Sequence, residues 1–177
     1  MIEICTKRLK LVPLDNFLLS IWANEGRQAM EDRMSLSHSS WLKDPEFYED
    51  SIKGLNDFWL PQTNENFIDF FWYTNWEVIF IEKNISIGGL GFSGFPNLKG
   101  ESSIGYFIQK EFRNQGFASE ALNGIVSWAK IEPALKLLIA QTEFFNLPSQ
   151  SVLRNAGFKQ TELNKTNMKY KYWELAF

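Results

Sequence analysis

One short turn in this sequence has the residue types and spacing to bind a phosphate group. Its six residues are Arg113, Asn114, Gln115, Gly116, Phe117 and Ala118, and an amphipathic helix is predicted to begin at Gly116. The first N–H groups of a helix have no partner within the helix, and the helix dipole adds partial positive charge there. A glycine allows an anion to approach the backbone closely, and Arg113 adds a cationic side chain. The turn therefore predicts an anion cradle built mostly from main-chain amides.

Other kinds of catalytic centre are poorly supported. The chain contains one histidine, His38, and one cysteine, Cys5. A single thiol forms no intrachain disulfide, and one His with one distant Cys does not supply a zinc ligand set, so we predict no metal. His38 lies in a serine-rich run without a nucleophile-elbow sequence, and we interpret it as an exposed loop residue.

The segments on either side of the turn predict the elements that position it. Residues 102–108 predict a strand, and residues 117–129 carry apolar side chains at the i, i+3, i+4 spacing of a helix. Residues 135–142 are almost continuously apolar, which predicts a strand buried on both faces. Strand, helix and strand in this order predict a parallel βαβ unit with the turn at its first junction.

The rest of the chain predicts further elements of the same domain. In chain order they are a strand at 8–14, a helix capped by Asp15, a helix opening at Asp44 and Pro45, a hairpin of strands 76–82 and 85–92, a helix at 148–155, and strands 158–163 and 169–176. The glycine-rich segment 87–91 precedes a loop, so we interpret it as a strand with a bulge or a close backbone contact. Without a repeat or linker, residues 1–177 predict one α/β domain around a mixed sheet.

Composition narrows the classes of function. The formal net charge is −3, so the chain lacks the basic surface that supplies most nucleic-acid affinity. The sequence has no apolar stretch of about 18 residues that would cross a membrane, and residues 1–12 do not resemble a signal peptide. We therefore expect a cytoplasmic protein with no nucleic-acid or membrane partner.

The turn also matches a known family. It matches in full the acetyl-CoA motif of the GNAT superfamily, Arg/Gln-x-x-Gly-x-Gly/Ala, and residues 103–122 resemble the Rim-type branch that includes ribosomal-protein alanine acetyltransferases. Asn146, Ser149 and the following Gly157 and Phe158 are similar to that branch's Asn-x-x-Ser…Gly-Phe signature. The resemblance implies the GNAT fold, a mostly antiparallel mixed sheet flanked by helices. It also implies transfer of an acetyl group from acetyl-CoA to a primary amine of a small molecule or protein N-terminus.

The resemblance assigns a coenzyme site. Its residues are Tyr106, Phe107, Ile108, Arg113, Asn114, Gln115, Gly116, Phe117, Ala118, Asn146 and Ser149. The strand backbone at 106–108 is expected to bind the pantetheine arm as an added strand would, and amides of the turn are expected to bind the pyrophosphate. Asn146 and Ser149 are expected to contact the pantetheine or the sulfur. Asn146 is equally suited to cap the helix that follows, and both roles can hold together.

The residues for proton transfer depart from the family pattern. Relatives often carry a glutamate where this chain has Ser103, and many use a tyrosine as general acid where this chain has Leu153. Glu101 and Glu143 are the candidate substitutes, and Ser103 could orient a water molecule. A main-chain N–H near Phe107 is expected to hold the tetrahedral oxyanion. Deprotonating a lysine-type amine at pH 7 costs about 4–5 kcal/mol, against about 1 kcal/mol for an α-amine. Because the family's usual proton-transfer residues are missing, we favour a weakly basic acceptor.

The acceptor pocket is expected from the two helices after the first strand and the loop before Trp76. Its candidate rings are Trp22, Trp41, Trp59, Trp72 and Tyr73, and an acidic run of Asp44, Glu46, Glu49, Asp50 and Asp57 would attract a cation or simply face water. Two alternatives stay open: a catalytically inactive acyl-CoA-binding module, and an enzyme that transfers a larger acyl group. A homodimer is a further possibility, because closed two-fold dimers are common.

Overall fold

The computed structural model describes residues 2–40, 45–161 and 169–177, with the backbone alone at 46 and 47. The strands are β1 (Ile4–Cys5), β2 (Leu9–Pro13), β3 (Trp76–Phe80), β4 (Ile85–Phe92), β5 (Glu101–Ile108), β6 (Leu137–Glu143), β7 (Lys159–Thr161) and β8 (Tyr170–Ala176). The helices are α1 (Asn16–Glu25), α2 (Arg27–Arg33), α3 (Pro45–Gly54), α4 (Leu60–Glu65), α5 (Phe117–Ala129) and α6 (Leu147–Asn155), and a π-helical turn at Leu55–Trp59 joins α3 to α4.

Within the described residues, the strands form one eight-stranded mixed sheet in the order β1-β2-β3-β4-β5-β6-β8-β7. Neighbours are antiparallel except β5 and β6, which are parallel and joined through α5. The sequence prediction of a mixed, mostly antiparallel sheet flanked by helices, with one parallel βαβ unit, is therefore confirmed.

The two faces of the sheet carry separate apolar clusters. One cluster joins α5 to inward side chains of β2, β4, β5 and β6, and the other joins α1, α2 and the π-helical turn. Along β5, Ile108 belongs to the α5 cluster while its neighbour Phe107 packs against the α1 cluster. Successive side chains of a strand point to opposite faces, so β5 separates an α5 face from an α1 face.

Several local predictions are confirmed. Asp15 caps α1, because its side chain accepts a hydrogen bond from the Leu18 N–H at 2.9 Å. Glycines in β4 lie where neighbouring backbone leaves no room for a side chain. A Cβ at Gly88 would lie 2.3 Å from the Phe107 carbonyl oxygen, and one at Gly91 would lie 2.5 Å from the Thr74 carbonyl oxygen. The register of β3 against β4 shifts between Val78 and Ile79. Segment 87–91 is thus a strand held close to its neighbours.

Other predictions need correction. The segment predicted as a strand buried on both faces is β6, which begins at Leu137 and alternates in burial, with Gln141 and Glu143 exposed. Leu135, predicted inside that strand, is buried in the turn before it. The helix predicted to open at Asp44 and Pro45 is observed from Pro45 as α3, and it continues through the π-helical turn into α4, which ends at Glu65. The end of the strand predicted at 158–163 lies outside the described residues.

Two further findings concern membrane-spanning helices and groups of metal-binding side chains. No helix among the described residues combines the length and apolar character needed to cross a membrane. In the same part of the chain, no three His, Cys, Asp or Glu side chains are grouped closely enough to hold a metal ion.

Candidate active site

The site begins where two parallel strands part. β5 and β6 pair at Glu101–Leu137, Ser102–Leu138 and Ser103–Ile139, and these strands, both fully described, do not pair further. β5 nevertheless continues to Ile108 and β6 to Glu143. The gap between β5 and β6 beyond Ser103 therefore leaves backbone groups of β5 without a strand partner, and such groups are available to an extended ligand.

The direction of the β5 backbone groups can be read from their partners. The Ser103 carbonyl accepts from the Ser93 N–H, and the Gln109 N–H donates to the Ile87 carbonyl, both on the β4 side. Within a strand the N–H and C=O of one residue point the same way, and successive residues alternate. The backbone of Phe107 therefore faces β4, and the backbone groups of Tyr106 and Ile108 face the gap.

On the α5 face, the gap opens into a cavity of about 620 Å³, here called the helix-mouth cavity. Its lining includes Tyr106, Phe107, Ile108, Arg113, Asn114, Gly116, Phe117, Ala118, Asn146 and Ser149. Ten of the residues predicted from the sequence to form one site thus line one cavity. The eleventh, Gln115, is exposed and is outside this lining; its side chain donates to the Glu111 carbonyl at 3.1 Å.

The mouth of α5 has the geometry of an anion site. Gly116 is the N-cap with φ 81°, a left-handed conformation that favours glycine, and no side chain caps the helix. Among the described residues, the N–H groups of Gly116, Phe117, Ala118 and Ser119 have no hydrogen-bond partner. A Cβ at Gly116 would contact only the Arg8 guanidinium, at 3.5 Å. Unpaired amides and the positive end of the helix dipole therefore converge on open space.

Arg8 is a cation at this mouth that the sequence did not reveal. Its Nε donates to Glu120 at 2.7 Å, and a second guanidinium nitrogen donates to the Gln115 carbonyl at 3.0 Å. The guanidinium carbon of Arg8 lies 4.2 Å from the Phe117 ring centroid. Burial alone would raise the pKa of Glu120, but hydrogen bonds from Thr6 and Arg8 and the Arg8 charge outweigh it and hold that pKa below its usual value. The ionised Glu120 thus fixes a guanidinium beside the open amides.

Arg113 has a different place from the one its motif position predicts. Its Nε donates to the Ile108 carbonyl at 2.7 Å, so the side chain is tied to the end of β5. It still lines the helix-mouth cavity. The Ile108 carbonyl, which faces the gap, therefore already accepts one hydrogen bond from the protein. Asn114 adopts φ 62°, which turns the chain sharply into the mouth of α5.

The start of α6 forms the other side of the helix-mouth cavity. Asn146 caps α6 by accepting from the Ser149 N–H at 3.1 Å, which confirms the capping role. The Tyr106 hydroxyl reaches across from β5 and lies 2.9 Å from the Ser149 Oγ and 3.0 Å from the Ser149 carbonyl. Burial raises the pKa of Tyr106, partly offset by the Ser149 hydrogen bond, so this hydroxyl stays protonated. Leu153, where many relatives have a tyrosine, is fully buried in the core.

Two cavities lie on the α1 face of the same strands. One of about 300 Å³, here called the Asn75 cavity, is lined by Asp50, Ser51, Trp59, Asn75, Gly89, Leu90, Gly91, Phe92, Gly105, Tyr106 and Phe107. The other, of about 430 Å³, includes Ser103, Gly105 and Gln141 in its lining and is here called the Ser103 cavity. Gly105 belongs to both, and a Cβ there would meet nothing within 4 Å. Tyr106 and Phe107 line both the Asn75 cavity and the helix-mouth cavity, so these spaces meet at β5.

The three candidate catalytic side chains are not brought together. Ser103 lines the cavity named for it. Glu101 pairs with the first residue of β6, and its side chain accepts from Asn97 at 3.1 Å, while Glu143 is the exposed last residue of β6. The two glutamates are therefore roughly 20 Å apart along the strands, and neither lines these three cavities.

Comparison with known proteins settles the family. Residues 27–159 match the family described as "Acetyltransferase (GNAT) domain". The chain belongs to the GNAT acetyltransferase family. The family, its coenzyme and the observed anion cradle agree, and the protein is an acetyl-CoA-dependent N-acetyltransferase.

Individual GNAT relatives cover nearly the whole chain. An uncharacterized N-acetyltransferase, YjdG of Bacillus subtilis, is 27% identical over 173 residues, which is 98% of this chain and 97% of the relative. A GNAT acetyltransferase of Bacillus anthracis has a TM-score of 0.61 at 20% identity and covers 99% of this chain and 98% of its own. RimL, a ribosomal L7/L12 α-N-protein acetyltransferase solved with coenzyme A, has a TM-score of 0.66 at 14% identity with the same coverage. These structures share the GNAT fold with this chain.

Of the five rings expected in the acceptor pocket of this GNAT protein, three belong to the apolar clusters instead, among them Tyr73, which packs against the α5-side cluster. Trp22 and Trp72 are each 1% exposed and belong to the two cores, whereas Trp59 lines the Asn75 cavity. Of the acidic run, Asp50 lines that cavity and Glu49 and Asp57 are exposed. Trp41, Asp44 and the side chain of Glu46 lie outside the described residues.

Proposed function

We propose that this N-acetyltransferase binds acetyl-CoA in the helix-mouth cavity and receives its primary amine from the opposite face, through the Asn75 or Ser103 cavity. The observation that supports this proposal is the gap between β5 and β6, which lies between the anion cradle on one face and the Ser103 cavity on the other. An acyl group placed in the gap is reachable by an amine from the α1 face while the coenzyme's diphosphate stays at α5. This arrangement supports direct attack in a ternary complex.

The coenzyme is proposed to follow the unpaired groups from α5 to the gap. The amides from Gly116 to Ser119 and the Arg8 guanidinium suit the pyrophosphate. The gap-facing backbone of Tyr106 and Ile108 suits the pantetheine amides. A gap-facing N–H of Tyr106 or Ile108, rather than that of Phe107, suits the tetrahedral oxyanion, because Phe107 faces β4.

The leaving thiolate needs a proton, and the geometry favours Tyr106. Its hydroxyl lies 2.9 Å from the Ser149 Oγ, beside the gap, and its raised pKa keeps the proton available at neutral pH. Tyr106→Phe is expected to lower kcat by 10- to 100-fold with little change in coenzyme affinity. An unchanged kcat would remove Tyr106 from this role.

The incoming amine is proposed to lose its proton without help from Glu101 or Glu143. Neither carboxylate lines any of the three cavities described above, and Ser103 is a poor base, although it can orient a water molecule in its cavity. We therefore expect Glu101→Gln and Glu143→Gln to leave the pH profile of kcat/KM unchanged. A shift of that profile in either variant would make the substituted carboxylate the base.

The activity is tested by release of coenzyme A thiol from acetyl-CoA. The acceptors are amino acids, spermidine, an aminoglycoside, and peptides with N-terminal serine or alanine, with the N-acetylated form of each peptide as its control. We expect thiol release with at least one free amine and none with its blocked form. Tight binding of acetyl-CoA without thiol release from any amine would support the inactive coenzyme-binding module, and release only from longer acyl-CoA would support a different acyl donor.

A further inference from the structure

The floor of the Asn75 cavity carries a buried carboxamide whose orientation is fixed. Asn75 is 2% exposed, and its Nδ2 donates to Glu77 Oε1 at 2.7 Å. A carboxylate only accepts hydrogen bonds, so the amide nitrogen must face Glu77 and the amide oxygen must face away from it. The carboxamide therefore cannot turn over without losing its partner.

The Asn75 oxygen faces the part of the cavity wall formed by Gly89. A Cβ built at Gly89 would lie 2.3 Å from the Asn75 Oδ1 and 2.7 Å from the Phe107 ring, so only glycine leaves room for both. Among the described residues, Oδ1 has no hydrogen-bond donor. Oδ1 is not among the side-chain atoms that are both fully buried and without a partner, so it is open to the cavity, from which water or a ligand can supply the donor.

Behind Asn75 lies a buried charge network that holds this orientation. Glu77 accepts from two Arg27 guanidinium nitrogens, at 3.1 and 2.5 Å, and from the Ser86 hydroxyl. Arg27 also donates to Glu31 at 3.2 Å, and the three charged side chains are between 0 and 5% exposed. Two carboxylates share one guanidinium, so the network has a formal charge of −1 behind a carboxamide that shows only its oxygen. That potential favours a cation or an N–H donor in the cavity.

We propose that Asn75 is the specificity-determining residue for the acceptor: its Oδ1 accepts a hydrogen bond from the nitrogen of a primary ammonium or amine seated in the Asn75 cavity. An N–H is present in both protonation states, so the contact survives loss of the proton. The Trp59 and Phe107 side chains of the same lining suit an apolar body attached to that nitrogen, and Asp50 adds a carboxylate at the wall. The inference rests on the proposed acceptor face but concerns binding, so it can be tested without turnover.

The test uses a matched pair of ligands, 2-phenylethylamine and 2-phenylethanol, titrated by calorimetry into the full chain saturated with coenzyme A. We expect the wild type to bind the amine at least about tenfold more tightly than the alcohol. Asn75→Leu, which has a similar size, is expected to remove that preference. Ser86→Ala is the matched control, because it removes a hydrogen bond from Glu77 without touching the cavity, and it is expected to keep the preference.

Coenzyme A affinity and the thermal midpoint show whether each variant is folded, and the wild-type comparison does not depend on any variant. No binding of the amine at millimolar concentration, equal binding of amine and alcohol by the wild type, or an intact preference in a folded Asn75→Leu would each overturn the assignment. Absence of thiol release in every assay, with the amine preference intact, would instead contradict the proposed function and leave this site standing.

Discussion

The two sides of β5 are built in different ways. On the α5 side, the anion cradle is made of consecutive main-chain amides from Gly116 to Ser119, within one turn of chain. On the α1 side, the Asn75 cavity is lined by residues from four separate parts of the chain, at 50–59, at Asn75, in β4 and in β5, and behind it an ion pair joins residues 50 positions apart. A site made of main chain depends on a local conformation, whereas a site made of side chains depends on the whole fold.

This difference matches the ligands that we propose for the two sides. Every coenzyme A molecule carries the same diphosphate, and a row of amides at a helix mouth binds it without a particular side chain. A particular amine has no such constant group, so its recognition has to come from side chains. The α1 side is therefore where we expect substrate choice to reside, and where substitutions should affect stability most.

The largest expected effect is on stability, from Arg27→Met. It leaves Glu31 and Glu77 buried without a cation, and breaking a buried ion pair costs about 3–5 kcal/mol. Arg8→Met on the α5 side is the matched control, because Arg8 is 37% exposed and pairs with Glu120 near solvent; its loss should be about 1 kcal/mol or less. Urea unfolding measures both. Equal losses would contradict the contrast between a buried network and a surface pair.

The next effect is on catalysis, from Gly105→Leu. A side chain at this position would enter open space in both α1-side cavities and block the approach to the gap. We expect kcat/KM to fall by about 100-fold, roughly 2.7 kcal/mol, while coenzyme A affinity changes by less than about threefold. Gly105→Ala is the small control and should retain most activity. Full activity in Gly105→Leu would show that the acceptor does not use this path.

A smaller effect is expected from Glu120→Gln, which weakens hydrogen bonds from Thr6 and Arg8 and should cost about 1–2 kcal/mol at pH 7. The folded pKa of Glu120 lies below its unfolded value of about 4.3, so its stabilisation is present above that pH and is lost as pH falls through the folded pKa. Urea unfolding of wild type and variant from pH 7 to pH 3 should show the difference shrinking below about pH 4. A difference that stays constant would contradict the depressed pKa.

The sequence was most informative where structure is local. The turn at Gly116, the Asp15 and Asn146 caps and the close contacts of β4 all follow from a few neighbouring residues, and all are present. Ten of the eleven residues that the GNAT resemblance assigned to the coenzyme site line one cavity, although they lie on β5, in the turn before α5 and at the start of α6.

The sequence was least informative where distant segments meet. Arg8 reaches Glu120 over 112 positions, and Arg27 reaches Glu77 over 50. Nothing within residues 24–40 shows that Arg27 and Glu31 are buried, because the Glu77 carboxylate and the Ser86 hydroxyl that complete their network lie on β3 and β4. The apolar run of β6 predicted a strand buried on both faces. The run alone does not show that β5 and β6 stop pairing after Ser103 and Ile139.

The most direct test of this account is the coenzyme A affinity of Gly116→Val, measured by calorimetry beside Gly26→Val. Both glycines are helix N-caps with positive φ, at 81° and 94°, and neither is crowded; Gly26, with ψ 169°, lies in the more restricted backbone region, so it is the harsher control for strain alone. Only Gly116 opens onto the unpaired amides of α5. We predict at least a tenfold loss of coenzyme A affinity in Gly116→Val and none in Gly26→Val; equal affinity in the two folded variants would contradict a diphosphate site at this helix mouth.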